Sequence, residues 1–194
     1  MKRLGAIFSI ALMAGPAWAD DDGWPIYVGA DTVEATYSVS SPAVLFNENQ
    51  NGQFAEANKA DTTFIRLRAG TRLTDSISVE LHYGLEDETA NDANGTVGLD
   101  EYYGVFIAPT TTVFDLFEIN FPIGFSSTSI DAGDSGTADS DGVAFGMNLE
   151  IPLSLYMDLE KFDFRILGGG MVYQQDNDSR FYGYNLGIRF DFKL

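Results

Sequence analysis

The sequence contains no cysteine, one histidine and few basic residues, and each shortage excludes a class of protein. Without cysteine, the 194-residue chain can form neither disulfides nor a lipid anchor on an N-terminal cysteine. Its 11 basic residues are outnumbered by 29 acidic ones, which gives a formal net charge of −18 at pH 7. Because so acidic a surface repels phosphates, we expect no nucleic-acid partner.

Long hydrophobic runs are also missing beyond the N-terminus. No later stretch approaches the run of about 18 apolar residues that indicates a transmembrane helix, and no solenoid-length repeat is present. Hydrophobic residues make up an ordinary 45% of the chain, yet aromatic residues reach 13%. This combination is typical of strands that cross a membrane, because alternation halves the apolar signal while aromatic side chains gather on one face.

The N-terminus has the pattern of a secretory signal peptide. The basic pair Lys2-Arg3 precedes an apolar stretch over residues 4–14, and Ala17-Trp18-Ala19 forms a small-x-small cleavage site. The apolar stretch is too short to span a bilayer as a helix, although an uncleaved anchor is the alternative. We expect cleavage near Ala19/Asp20.

Residues 20–194 have the length of one domain. The two basic residues of the signal peptide would be lost with it, and no acidic residue would. The mature chain would then carry 9 basic and 29 acidic residues, a net charge of −20.

Apolar and polar residues alternate in eight stretches of about 10 to 14 residues, the length that a tilted strand needs to cross a bilayer. The connections after the first, third and fifth stretches are long and polar, while the others are tight. This arrangement is typical of outer-membrane barrels, with long loops outside and both termini in the periplasm. The predicted strands are 24–38, 61–73, 76–86, 98–109, 113–125, 143–157, 161–174 and 181–193, and the predicted long loops are 39–60, 87–97 and 126–142.

Two stretches leave their phase open, and two contain proline. Asp31 and Glu34 would fall on opposite faces of the first strand, an arrangement that is compatible with a bulge there. The adjacent Tyr102 and Tyr103 make both faces of the fourth strand aromatic. Pro122 and Pro152 lack the N–H that a ladder needs, so we expect both near strand ends or bulges.

The last strand alternates most clearly and carries a recognisable motif. Even positions from Tyr182 to Leu194 are apolar, and odd positions are small or polar, so the strand has one apolar and one polar face. Within it, Asn185-x-Gly187-x-x-Phe190-x-Phe192 resembles the C-terminal signal by which bacterial outer-membrane barrels are recognised for insertion.

Side-chain volume indicates which face points outward. The interior of an eight-stranded barrel is just wide enough for its side chains, so most of the 15 Phe and 9 Tyr would overfill it. We therefore expect the aromatic faces to meet lipid and the glycine-rich, charged faces to line the lumen. The alternative is a soluble lipocalin-like barrel with its apolar face inward. An aromatic belt at the membrane surfaces is predicted at Tyr37, Tyr83, Tyr156, Tyr173 and Tyr182.

Charges on the inward faces must then pair, because an unpaired buried charge costs several kcal/mol. Arginine suits this task, since its planar fork can bridge two carboxylates. The sequence therefore predicts a salt-bridged plug, and the alternative is that these residues are the solvated face of a soluble sheet. The predicted luminal network is Arg66, Arg68, Arg72, Glu80, His82, Glu118, Glu150, Asp163, Arg165, Arg189 and Asp191.

As a whole, residues 20–194 resemble the eight-stranded OmpA/OmpX-like outer-membrane barrels of the porin-family type. The resemblance implies an all-β fold, an eight-stranded antiparallel up-and-down transmembrane β-barrel in the bacterial outer membrane. It also implies a monomer surrounded by outer-membrane lipid and lipopolysaccharide and inserted by the barrel-assembly machinery. Structural or surface-interaction roles are typical of such proteins. Neither the resemblance nor the loops name a ligand, and a narrow pore and a surface adhesin stay open as alternatives.

Catalysis, cofactors and specific metal sites are not expected. His82 shares a face with Ser78, but the two lie roughly 13 Å apart along a strand at ~3.3 Å per residue. Acidic loops could attract Ca²⁺, yet the segment from Asp139 to Gly142 lacks the spacing and closing glutamate of an EF-hand. We interpret these acids as solvated.

Overall fold

A computed structural model describes residues 26–39, 59–88, 90–92, 95–114, 116–131, 137–155, 162–175 and 179–192. The predicted signal peptide lies outside these residues. In them we find no helix long and apolar enough to cross a membrane. A short 3₁₀ turn, Leu153–Leu155, follows the eighth strand. The strands are β1 (Ile26–Val39), β2 (Lys59–Thr74), β3 (Ile77–Glu88), β4 (Ala90–Asp92), β5 (Gly95–Val113), β6 (Phe117–Asn120), β7 (Ile123–Asp131), β8 (Thr137–Pro152), β9 (Phe162–Gln175) and β10 (Ser179–Phe192).

The strands close into a ring with eight positions. Neighbours in the ring pair antiparallel, and β1 pairs with β10 from Ile26↔Phe192 to Val39↔Ser179, which closes the barrel. Two positions are each occupied by two successive strands: β3 with β4, and β6 with β7. The predicted eight-stranded antiparallel up-and-down barrel is confirmed.

The barrel has two distinct ends. We call the end where Ile26 pairs with Phe192 the terminal rim, and the β2–β3 hairpin also turns there. The opposite end, where Val39 pairs with Ser179, is the loop rim. The depth of each inward-facing side chain in the barrel can therefore be described by its position along its strand between the two rims.

Several predicted connections were wrong. Strand β5 runs on to Val113, beyond the turn predicted at 109–112. Much of the loop predicted at 126–142 belongs to β7 and β8, and the loop predicted at 87–97 contains β4 and the start of β5. These extensions are rich in Ser, Thr, Asp and Gly, so they lack an apolar period even though backbone pairing continues through them. The loop predicted at 39–60 lies mostly outside the described residues.

Both prolines lie at strand ends, where no ladder hydrogen bond needs their missing N–H. The prediction that they lie near strand ends or bulges is confirmed. Pro122 lies in the break between β6 and β7, and Pro152 is the last residue of β8. The wall stays hydrogen-bonded across the break, because Phe121 N donates to Pro109 O at 2.8 Å and Gly146 N donates to Pro122 O at 2.9 Å.

The register settles the phases that the sequence left open. Pairing runs through β1 without a shift on either side, so β1 has no bulge. Asp31 is therefore buried inside the barrel, and Glu34 is exposed on the outer wall. In β5, Tyr102 is buried inside, while its neighbour Tyr103 lies on the outer face and is half-buried.

Large apolar side chains cover much of the outer wall. Phe125 is 72% exposed and Leu186 is 68% exposed, and both point away from the lumen. The aromatic residues do not all follow this pattern. Tyr37 and Tyr173 lie buried in the interior, so their assignment to a membrane-surface belt is wrong. Tyr156 lies outside the described residues.

The barrel interior as the candidate functional site

The half of the interior next to the terminal rim holds charged side chains, which we call the ion-pair tier. The structure places all eleven residues of the predicted network on inward-facing positions and adds Asp31, which the sequence had left unassigned. Most of these residues form one chain of ion pairs across the lumen, whereas Arg66 pairs separately with Asp31, and Glu80 contacts His82. The charged members of the tier are Asp31, Arg66, Arg68, Arg72, Glu80, Glu118, Glu150, Asp163, Arg165, Arg189 and Asp191.

Arg165 gathers carboxylates close to the terminal rim. Its Nη1 lies 2.5 Å from Glu118 Oε2, and its Nε lies 3.0 Å from Asp163 Oδ2 and 3.2 Å from Asp191 Oδ2. Arg72 Nη2 approaches the same Glu118 and Asp191 at 3.1 and 3.4 Å. Two guanidinium groups thus share two carboxylates contributed by different strands.

Arg189 and Glu150 continue the chain toward the middle of the barrel. Arg189 Nη1 lies 2.6 Å from Glu150 Oε2, and Arg189 Nε donates to Asp191 Oδ1 at 2.6 Å. The Arg189 guanidinium also lies over the Tyr27 ring, 4.4 Å from its centroid. On the other side, Arg68 Nη2 donates to Glu150 Oε1 at 3.4 Å, and Arg165 Nη1 lies 3.8 Å from Glu150 Oε2, so Glu150 is surrounded by three arginines.

His82 contacts the carboxylate of Glu80. Its Nε2 lies 2.7 Å from Glu80 Oε2, and its ring stacks on Phe106 with centroids 4.2 Å apart. Tyr27 Oη donates to the other oxygen of Glu80 at 2.9 Å. The hydroxyl of Ser78, on the same face, donates instead to the backbone oxygen of Ala108 at 3.2 Å.

Arg66 marks the inner end of the ion-pair tier. Its Nε donates to Asp31 Oδ2 at 2.7 Å, its Nη2 contacts the same oxygen, and both side chains are fully buried. Nη1 donates to Met171 Sδ at 2.9 Å, and the guanidinium lies 5.3 Å from the Tyr173 ring centroid. Asp31 lies opposite Arg66 in the β1–β2 register, a pairing that no local pattern reveals.

Beyond Arg66, toward the loop rim, the lumen is filled by a second group, which we call the aromatic tier. Its rings lie in contact, with centroids 5.5 Å apart for Phe64 and Tyr173, 5.7 Å for Phe64 and Phe181, and 5.6 Å for Tyr102 and Tyr173. Sequence reasoning missed this group, because it assigned the aromatic residues to the outer wall. The members are Tyr37, Phe64, Tyr102, Tyr173 and Phe181, from β1, β2, β5, β9 and β10.

Glycines on neighbouring strands make room for these rings. A Cβ on Gly84 would lie 2.8 Å from Tyr102 Cβ and 3.1 Å from Phe64 Cδ2. Gly70 likewise lies against the Tyr27 ring, which a Cβ at this position would overlap. The glycines of the inward faces are thus the counterparts of bulky side chains elsewhere in the ring.

The residues of the predicted insertion motif divide between the two faces of β10. Asn185 is buried inside, where its Nδ2 donates to Asn148 Oδ1 at 3.1 Å. Gly187 lies opposite Asp31 in the β1–β10 register. Phe190 packs against Phe164 with ring centroids 4.8 Å apart, and Phe192 is exposed on the outer wall. The motif therefore contributes to the lumen as well as to the wall.

Arg165→Lys is expected to lower the free energy of unfolding by about 1.5–3 kcal/mol, the range of hydrogen bonds to charged groups. Lysine has a single ammonium and cannot reach the carboxylates on both sides of Arg165, which approach different guanidinium nitrogens. Urea unfolding of the refolded protein measures the change. Arg180→Lys, on an exposed residue of β10, is the matched control and should have little effect. Equal losses in the two variants would contradict this account.

Across the described strands and turns, we find no group of three or more His, Cys, Asp or Glu side chains that could hold a metal ion. The carboxylates of the ion-pair tier lie against arginines, except Glu80, which contacts His82 and Tyr27.

Comparison with known proteins identifies the fold. No family model matches the sequence. No curated protein matches it either. Among solved structures, Neisserial surface protein A has a TM-score of 0.55 at 13% identity, covering 87% of this chain and 97% of its own. Ail, the attachment invasion locus protein of Yersinia pestis, in complex with the heparin analogue sucrose octasulfate, has a TM-score of 0.53 at 10% identity, covering 88% of this chain and 99% of its own. The chain thus has the fold of small eight-stranded outer-membrane β-barrel proteins.

Proposed function

We propose that this chain is a non-enzymatic integral protein of the bacterial outer membrane, with a structural role in the envelope and surface interactions through its acidic loops. The observation that carries the proposal is the polarity of the closed ring: exposed apolar side chains outside, and paired charges inside. A soluble barrel would have the opposite polarity.

The outer wall supports a lipid environment on physical grounds. Ile107 and Met147 are 58% and 55% exposed, in addition to Phe125 and Leu186, and these side chains come from different strands around the ring. Apolar surface gains about 25 cal/mol per Å² when it leaves water, so an unbroken apolar band around a soluble monomer would be strongly unfavourable. Acyl chains solvate such a band.

Orientation and biogenesis follow from the same proposal. The terminal rim would face the periplasm, and the loop rim would face outside, as is usual for barrels of this type. The signal peptide would be cleaved near Ala19/Asp20, and the motif from Asn185 to Phe192 would be read by the barrel-assembly machinery. The inserted monomer would contact outer-membrane lipid and lipopolysaccharide. The side chains that fill the lumen, the Arg–Asp/Glu salt bridges among them, would leave no free pore through the barrel.

Fractionation of a Gram-negative host that expresses the chain tests this proposal. We expect the protein in the outer-membrane fraction, with a shift in gel mobility on heating in detergent, because a closed barrel resists unfolding until it is heated. Protease added to intact cells should cleave at the loop rim and spare the β2–β3 turn at Asp75-Ser76. Recovery as a compact monomer from periplasmic extract without detergent would overturn the proposal.

A further inference from the structure

The ion-pair tier becomes more accessible toward the terminal rim. The side chains of Glu80 and Glu150, in the middle of the barrel, are fully buried. Arg72, nearest the rim, has 22% of its side chain exposed, and Asp163 has 17%. A cavity of about 300 Å³ opens at this end, and its lining includes Glu118, Asp163 and Arg165. Solvent therefore reaches the outermost ion pairs from the terminal rim.

Polar atoms deeper in the ion-pair tier are not satisfied by protein partners alone. Arg68 Nε and Nη1 and Asn148 Nδ2 are buried, and within the described residues they have no hydrogen-bond partner. Buried donors of this kind are normally bonded to protein or to water. The tier also holds six carboxylates against five guanidinium groups. Its composition thus suits water and small cations rather than a dry plug.

The aromatic tier has the opposite character. Phe64, Tyr102, Tyr173 and Phe181 are all fully buried, and each contacts at least two other rings of the group. Aliphatic and small side chains of β1, β5, β7, β8 and β9 belong to the same cluster, namely Val33, Ala35, Leu99, Ile130, Ala144 and Met171. Two hydroxyls, those of Tyr102 and Tyr173, are buried here without a hydrogen-bond partner among the described residues. The close packing of the rings and aliphatic side chains around them is what leaves no space for a hydrated ion.

We propose that the aromatic tier is the seal of the lumen, and that the ion-pair tier is a hydrated, dead-end vestibule open to the periplasm. The inference rests on the proposed function, because it requires the barrel to span a membrane. Only then can solvent reach the lumen from one side and not from the other. The inference places the barrier to ions at the aromatic rings and not at the salt bridges. On this account, truncating the rings opens a cation-preferring pore, whereas neutralising the outer ion pairs leaves the barrel closed.

Planar-bilayer conductance of the refolded full-length protein tests the inference. We expect no steady current from the wild type, open levels from Phe64→Ala/Phe181→Ala, and no steady current from Arg72→Gln/Glu118→Gln. Phe125→Ala/Phe145→Ala, which removes two rings from the outer wall, is the matched control and should stay closed. A closed ring-truncated barrel, or current only after neutralisation of the ion pair, would overturn the inference.

Thiol labelling gives a second readout that does not depend on a large truncation. The chain has no cysteine, so a single one can be placed at Ser78 in the ion-pair tier or at Ala35 in the aromatic tier, both buried. In barrels reconstituted into vesicles, a small charged thiol reagent should modify Ser78→Cys and spare Ala35→Cys until the protein is unfolded. Equal labelling or equal protection of the two would refute the vestibule.

The two proposals fail in different ways. If the wild type neither enters vesicles nor shifts in mobility on heating, the membrane assignment itself is wrong. If it inserts normally but the ring-truncated variant stays closed, only the position of the seal is wrong.

Discussion

Asp31→Leu is expected to lower the free energy of unfolding by about 3–5 kcal/mol, the range found when one partner of a buried ion pair is removed. The side chains of Asp31 and Arg66 are both fully buried. Without Asp31, the Arg66 guanidinium would keep the sulfur of Met171 and the face of Tyr173 as neighbours, and neither carries a formal negative charge. Urea unfolding of the refolded barrel, followed by circular dichroism, measures the loss.

Two comparisons separate the loss of the ion pair from a general effect of the substitution. Glu34→Leu changes an acid on the outer wall of the same strand and should have little effect. The double variant Asp31→Leu/Arg66→Leu should be more stable than Asp31→Leu alone, because it removes the unpaired charge. If the two single losses simply add in the double variant, the ion pair is not the cause.

Gly84→Val is expected to prevent refolding or to lower the free energy of unfolding by about 3 kcal/mol, the upper end of the usual range for overpacked interiors. A Cβ on this residue would lie 2.8 Å from Tyr102 Cβ and 3.1 Å from Leu99 Cδ2. Tyr102 Cβ is attached directly to the backbone and cannot rotate away, so the wall itself must shift. The fraction that resists unfolding on an unheated detergent gel, together with urea titration, measures the effect.

Gly168→Val is the matched control for this substitution. Gly168 lies in the middle of β9, and a Cβ there would meet Leu186 Cδ1 at 3.5 Å, an ordinary contact. Gly84 faces the packed lumen, whereas Gly168 faces the outer wall beside Leu186, so only the first substitution places a side chain among the interior rings. Equal destabilisation by both valines would show that backbone flexibility in the strand, rather than crowding in the lumen, determines the result.

How much of the interior could be predicted depended on the clarity of the local alternation. In β2, Arg66, Arg68 and Arg72 follow a strict period of two, so their shared inward face was predictable without knowledge of any partner strand. In β1, acids fell on both faces, and the sequence had no means of choosing between them. The strand register determines which acid faces the lumen: Asp31 lies opposite Arg66, whereas Glu34 lies opposite Thr63 and Tyr184.

The aromatic tier shows why a rule about residue type was insufficient. Phe64 and Phe181 share inward faces with arginines further along β2 and β10, so alternation alone placed them correctly. The expectation that aromatic residues point outward overrode that signal. Whether five rings fit in the lumen depends on which strands are adjacent and on glycines such as Gly84, and both are known only after the ring closes.

The sequence by itself determined the class of fold and most of the inward and outward assignments, because a period of two is a local property of the chain. Only the tertiary structure decided that Asp31 pairs with Arg66, and that the aromatic tier lies between the ion-pair tier and the loop rim. Contacts across a barrel interior join residues far apart in the chain. They depend on the stagger between strands, which is set when β1 pairs with β10.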